Sequence, residues 1–203
     1  MKFVLTGGGT AGHINPALAL AEVLKQGGHE VFFAGTPQGV EARLVGQTDI
    51  PFTAFEASGF DRERPHTLVT SSLKILASSR KAKAWMREIR PDVVVGFGGY
   101  VSIPVGMAAE GLGIPVVVHE QNSVMGMANK YLGKKAAAVA LTYEVAGKDI
   151  ADKSKLVLTG NPVRASVLSA TREEGRAMLG IPDNATMLLV FGGSLGARQI
   201  NEG

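Results

Sequence analysis

Phe3-Val4-Leu5-Thr6-Gly7-Gly8-Gly9-Thr10-Ala11-Gly12-His13-Ile14-Asn15-Pro16 stands at the head of the chain. A short apolar run passes into glycines and then into a helix start, which predicts strand, tight loop and helix, the first unit of a doubly wound sheet. Asn15 reads as the cap of that helix and Pro16 as its first residue, with the stop at Gly27-Gly28. The same alternation continues downstream. Strands are expected at Phe3–Leu5, Glu30–Ala34, Phe52–Glu56, Val93–Val95, Pro115–His119, Ala137–Leu141 and Leu156–Leu158. Unbroken runs such as Val93-Val94-Val95 and Val116-Val117-Val118 suit parallel strands covered on both faces. Helices are expected over Val40–Val45, Thr67–Ile89, Ile103–Glu110 and Met127–Leu132. The fold class is α/β, a Rossmann-like parallel sheet.

The opening pattern returns once. Leu188-Leu189-Val190-Phe191-Gly192-Gly193-Ser194-Leu195-Gly196-Ala197-Arg198 repeats apolar strand, glycine loop and helix start after a turn at Ile181-Pro182-Asp183-Asn184. It reads as the start of a second Rossmann-like domain. The expected division is residues 1–169 as one domain and 170–203 as linker plus truncated start of the next, since a lone strand and helix cannot bury a core.

The 203 residues are 45% hydrophobic and 19% charged, which excludes a disordered chain. With no cysteine, disulfide frameworks and thiolate-held zinc or iron–sulfur sites are excluded. His13, His29, His66 and His119 are too dispersed for a local metal motif. The longest uncharged run, Val93 to Ala109, holds Pro104 and four glycines and is shorter than a membrane span, so a cytoplasmic location is expected. Net charge is +3, but the stretch from Asp61 to Arg90 alone carries eight basic and three acidic residues. That local excess suits either an anionic membrane surface or a solvated helix face packed on the sheet, and nothing in it points to nucleic acid.

Glycines are abundant, 26 in all, and cluster at Gly7-Gly8-Gly9, Gly98-Gly99 and Gly192-Gly193, each placed after an expected strand. Loops there border the ligand crevice of such sheets. Gly7, Gly9 and Gly12 satisfy the dinucleotide fingerprint, whose bare amides and helix N-terminus hold a diphosphate. NAD binding also wants a carboxylate after the second strand, and Phe33-Ala34-Gly35-Thr36-Pro37 offers none. The motif therefore suits a diphosphate ligand other than NAD. His13 reads as a base for a substrate hydroxyl or as a residue that orients phosphate or caps the helix. In His119-Glu120-Gln121-Asn122, Glu120 reads as a site group or as a structural carboxylate satisfied by amides. Arg164, in Gly160-Asn161-Pro162-Val163-Arg164, reads as a phosphate partner or a surface ion pair.

Taken together, Thr6–Pro16, Gly96-Phe97-Gly98-Gly99-Tyr100-Val101-Ser102, His119–Asn122, Gly160–Arg164 and Gly192–Arg198 resemble the MurG family of peptidoglycan N-acetylglucosaminyltransferases, in order and along essentially the whole chain. The resemblance implies a GT-B fold of two Rossmann-like domains. It implies inverting transfer of N-acetylglucosamine from UDP-N-acetylglucosamine to lipid I, forming lipid II, with no cofactor and no metal. Thr10, Ala11, Gly12, Asn122, Arg164 and Ser194 match positions that contact the donor. Gly7, Gly8, Gly9, Gly98, Gly99 and Tyr100 match loops that cradle the acceptor diphosphate, and His13 matches the general base. The resemblance also implies peripheral attachment to the cytoplasmic face of the cell membrane, with other cell-wall synthesis proteins as further candidate partners. Most donor recognition in this family lies in the second domain, so these residues alone are expected to bind acceptor diphosphate without turning over. An NAD-dependent oxidoreductase, a non-catalytic membrane-associated diphosphate-binding module and related GT-B enzymes acting on other polyprenyl acceptors are the rival readings.

Overall fold

Neighbouring residues of one strand enter two different cores. Val4 and Val94 pack on one side of the sheet, while Leu5 and Val95 pack on the other. This period of two explains why the strands carry no polar alternation: both faces are covered. In the computed structural model, which describes residues 1–57, 67–192 and 198–202, seven parallel strands make one sheet. They are β1 (Lys2–Thr6), β2 (Glu30–Gly35), β3 (Phe52–Ala54), β4 (Val93–Gly96), β5 (Val116–Glu120), β6 (Ala138–Leu141) and β7 (Leu156–Leu158). Their order is β3-β2-β1-β4-β5-β6-β7, so the sheet grows in opposite directions from the β1–β4 junction.

Helices α1 (Ala11–Gln26) and α2 (Val40–Val45) cover one face, burying Ile14, Ala17, Ala21 and Val45 against Leu5, Phe33 and Val95. Helices α3 (Thr67–Ile89), α4 (Ser102–Glu110) and α5 (Met127–Gly133) cover the other, through Ala82, Met86, Val105, Ala108 and Leu132. Each fully buried aliphatic side chain contributes roughly 1.5–3 kcal/mol. Helix α3 buries Ser71, Ser78, Ala82 and Met86 and sets Trp85 against Phe32 and Phe55, a 3.6-residue stripe. Three short helices follow: α6 (Ala165–Ser169), α7 (Arg172–Leu179) and α8 (Arg198–Glu202).

All seven expected strands form, and four of the helices fall within one residue of their expected ends. Two expectations are corrected. Helix α1 begins at Ala11 with Thr10 as its N-cap residue, so Asn15 and Pro16 lie inside it. Pro16 is tolerated in the second turn because its missing N–H removes only the bond to the Gly12 carbonyl. The second correction concerns Leu188–Phe191, expected as a strand, which forms none: Leu188 is 87% and Phe191 76% exposed. No neighbouring strand among the described residues pairs with it, and an unpaired strand leaves its backbone groups to water. The helix expected after it does form, as α8.

Candidate functional site

The β1–β4 junction is the switch point where sheets of this topology open a crevice. Here the loops after β1 and β4 lie backbone against backbone, with the Gly8 N–H donating to the Gly98 carbonyl at 3.2 Å. Gly98 and Gly99 have φ of +102° and +80°, in the left-handed region. A Cβ on Gly99 would also run into the Gly8 backbone, so only glycine fits. The Ser102 hydroxyl, buried at the start of α4, lies 2.8 Å from the Gly98 carbonyl and 3.2 Å from that of Thr6, pinning both strand ends.

His13 stands in the first turn of α1 beside these loops. Its Nδ1 is 2.8 Å from the Gly8 carbonyl and 3.3 Å from the Thr10 hydroxyl. A carbonyl only accepts, so Nδ1 carries a proton, and in the neutral imidazole Nε2 then keeps its lone pair. The ring lies over Gly98, where an added Cβ would sit 3.1 Å from Nε2. The imidazole borders a cleft of about 200 Å³ shared with Gly98, Gly99, Tyr100, Glu120 and Asn129. The α1 N-terminus beside it has no side-chain cap and no acidic residue in its first turn. Of its first amides, that of His13 donates to the Thr10 carbonyl at 3.1 Å, and those of Ala11 and Gly12 remain available to an anion.

The His119–Asn122 stretch resolves into two buried devices. His119, 4% exposed, places Nε2 3.0 Å from the Gly160 carbonyl and Nδ1 3.0 Å from the Gln121 amide, so both ring nitrogens are engaged. Burial lowers its pKa below the ordinary 6.5, against the opposing pulls of the Gly160 carbonyl and the Glu120 charge. The unfolded imidazole binds a proton more readily, so stability is complete above pH 6.5 and is lost as pH falls toward the folded-state value. Thermal melts between about pH 7.5 and 5.5 are therefore expected to show a falling midpoint. His119→Gln, whose amide can still donate to Gly160, should flatten that slope; parallel slopes would refute the assignment. Glu120, 1% exposed, accepts from the Asn122 N–H at 2.9 Å, Asn122 Nδ2 at 3.1 Å, the Gly126 N–H at 3.0 Å and Asn129 Nδ2 at 2.9 Å. Of the two readings of Glu120, its bonding supports the structural carboxylate, and one edge of it still faces the cleft.

One buried acid escaped sequence reasoning. Glu41, in the first turn of α2, is fully buried. It accepts from the Thr36 N–H at 2.9 Å, the Thr36 hydroxyl at 2.5 Å and the Gly9 N–H at 3.3 Å. The end of β2 therefore does carry a carboxylate, supplied by α2 and turned into the glycine loop. In Thr36-Pro37-Gln38-Gly39-Val40-Glu41 it looks like an ordinary acid at a helix start, which is why it gives no signal alone. Asn129, whose Nδ2 also donates to the His119 carbonyl, was likewise missed.

The structure brings His13, Gly98, Gly99 and Tyr100 to one cleft, with Thr10, Ala11 and Gly12 at the adjoining helix start. Gly7, Gly8 and Gly9 form the loop beneath. Exposed Asn122 is tethered to Glu120. Arg164 is exposed and lines a separate groove of about 480 Å³ with Asn15, Leu18 and Glu22, so it is not gathered with the others. Ser194 lies outside the described residues. Among the described residues no three histidines or acids converge as a metal site.

Comparison with known proteins adds to this geometry. Residues 3–141 match the model of the glycosyltransferase family 28 N-terminal domain. A UDP-N-acetylglucosamine–N-acetylmuramyl-(pentapeptide) pyrophosphoryl-undecaprenol N-acetylglucosamine transferase of Halalkalibacterium halodurans is 43% identical over all of this chain and 56% of its own length. A transferase of the same name from Acetivibrio thermocellus is 41% identical over 99% of the chain and 55% of its own length. The crystal structure of Acinetobacter baumannii MurG superposes with a TM-score of 0.67 at 36% identity, covering 81% of this chain and 46% of that one. The chain thus spans about half the length of the relatives it matches. From the family match over β1 to β6, and from a parallel sheet shared with the MurG structure, it follows that this chain belongs to glycosyltransferase family 28 and carries that family's N-terminal domain.

Proposed function

We propose that this chain provides the acceptor side of an inverting N-acetylglucosaminyltransferase that uses UDP-N-acetylglucosamine and the undecaprenyl-diphosphate-linked muramoyl acceptor. The observation that carries this reading is the state of His13: Nδ1 donates to the Gly8 carbonyl, leaving a bare Nε2 beside an uncapped helix start. In the proposed step Nε2 takes the proton of the acceptor sugar hydroxyl, and that oxygen attacks the anomeric carbon as its bond to the UDP oxygen breaks. UDP leaves with the electron pair, and amides at the start of α1 stabilise diphosphate charge. Thr10, Ala11, Gly12, Asn122, Arg164 and Ser194 are proposed donor contacts. Gly98, Gly99 and Tyr100 are proposed to meet the acceptor diphosphate together with Gly7 and Gly8. Gly9 is the exception, because its amide is already bonded to Glu41. The oxidoreductase alternative fares worse, since the carboxylate after β2 is buried in Gly9 and Thr36 bonds and is not open to a ribose.

Residues 1–169 are proposed as the acceptor-side domain, with donor recognition completed beyond residue 170. The decisive assay follows labelled sugar from UDP-N-acetylglucosamine to a lipid I analogue. It is run on this chain and on this chain joined to the C-terminal half of the Halalkalibacterium halodurans relative. Transfer by the joined protein supports the reading. Bound donor and acceptor without transfer would overturn it.

Peripheral attachment to a membrane is proposed through α3. No helix among the described residues is long and apolar enough to cross a membrane. The outward stripe of α3 instead combines Leu73 (62% exposed) and Leu76 (44%) with exposed Lys74, Arg80, Lys81 and Arg87. Each such cation near an anionic bilayer contributes about 1 kcal/mol. Sedimentation with phosphatidylglycerol vesicles is expected to fall several-fold in Leu73→Ser/Leu76→Ser. Equal sedimentation with neutral vesicles, or by the variant, would remove α3 from this role.

A further inference from the structure

We propose that Glu41 is a positioning residue for His13, acting through the glycine loop after β1. This rests on the transferase reading for its consequence in catalysis, while its geometry stands independently.

The carboxylate is fully buried, and none of its recorded partners is a cation. A lone carboxylate withdrawn from water is costly unless N–H or O–H donors replace its hydration. Here the donors are the Thr36 N–H and hydroxyl on the β2 side and the Gly9 N–H on the β1 side. Glu41 therefore ties the ends of β1 and β2 together. The room for it is made by missing side chains: a Cβ on Gly8 would sit 2.6 Å from Oε1, and one on Gly35 2.5 Å from Cγ.

What Glu41 fixes matters because of the next link. Gly8 and Gly9 share a peptide unit, the one whose carbonyl is the Gly8 carbonyl and whose N–H is that of Gly9. The carbonyl accepts from His13 Nδ1 at 2.8 Å, and the N–H donates to Glu41 at 3.3 Å. Being planar, this unit aims both ends at once. Glu41 holds one end, so the other presents an acceptor to Nδ1 and fixes the tautomer that leaves Nε2 bare. The arrangement also polarises the unit, since a carboxylate on the N–H makes the carbonyl a stronger acceptor. A carboxylate in this place marks the loop as a device for orienting an imidazole, with the Gly9 amide withdrawn from any phosphate.

The test reads the imidazole directly in the 203-residue chain. Long-range proton–nitrogen NMR of the wild type should show His13 with a protonated Nδ1 and a bare Nε2. Glu41→Gln keeps an oxygen for Thr36 but can turn an NH2 toward the Gly9 N–H, donor against donor. The His13 nitrogen shifts should then move toward the tautomer average. Thr36→Val removes the hydroxyl arm and leaves the Gly9 arm, so His13 should keep its wild-type shifts. In the joined transferase, Glu41→Gln should lower kcat about ten- to a hundredfold with KM unchanged, the cost of a misplaced reacting group. In the wild type, the amide of exposed Gly9 should exchange at least about tenfold more slowly than a free loop amide. A folded Glu41→Gln with wild-type His13 shifts overturns the proposal. So does a Gly9 amide that exchanges freely, a result that needs no variant to fold. Altered shifts without any sugar transfer by the wild-type joined protein would instead sink the transferase reading and leave the positioning role standing.

Discussion

Replacing His13 by alanine is expected to cut sugar transfer about a hundred- to ten-thousandfold, the range a positioned general base supplies. The loss should fall on kcat, because His13 acts when the acceptor hydroxyl gives up its proton, while donor contacts are proposed elsewhere. Stability should change little, since the ring lies at a cleft outside both hydrophobic cores. Alanine alone cannot separate a base from a loop anchor, because it removes both nitrogens. His13→Asn makes that separation: its amide can still donate to the Gly8 carbonyl at the place of Nδ1, with nothing at the place of Nε2. If the base role is right, the asparagine variant is as slow as the alanine one. An asparagine variant with near wild-type turnover would reduce His13 to an anchor and leave Glu120 as the carboxylate at this cleft to test as base.

How far the sequence revealed this site depends on the range of the interactions involved. Strands were legible because Val93-Val94-Val95 and Val116-Val117-Val118 commit both faces of a segment to burial, whatever surrounds it. The start of α1 was not. Asn15-Pro16 is a strong local signal, but a cap is typically about 1 kcal/mol, whereas burying Ile14 between α1 and the sheet contributes roughly 1.5–3 kcal/mol. Fully buried Ile14 therefore draws the first turn back to Ala11, which sets His13 on the helix beside Gly98. Leu188–Phe191 erred the other way: its pattern is that of β1, but a strand exists only with a partner, and none among the described residues stands beside it. Glu41 was invisible for a third reason. Its partner Gly9 lies 32 residues away, and only the packing of α2 beside the β1 loop brings them together.

Glu120→Ala is expected to destabilise the fold by about 3 kcal/mol, because a buried acceptor is lost and its donors are not. In a chain of this size that lowers the melting midpoint by roughly 6–12 °C. The donors are unequal. Those of Asn122 lie in an exposed turn where water can replace the carboxylate, whereas Asn129 is 1% exposed and its Nδ2 serves Glu120 at 2.9 Å and the His119 carbonyl at 3.0 Å. Most of the cost should therefore reside with Asn129, since Gly126, like Asn122, is exposed and its N–H can turn to water. Glu120→Gln discriminates: an amide preserves the volume and one oxygen but sets an NH2 against one pair of donors, costing about 1–3 kcal/mol. If both variants melted like the wild type, the four bonds would be surface decoration and Glu120 would return to being a site group alone. If alanine costs what four bonds imply, the turn from Gln121 to Gly126 and the Asn129 amide are held from beneath by one carboxylate. The wall of the cleft opposite His13 then owes its shape to a residue that need never touch substrate.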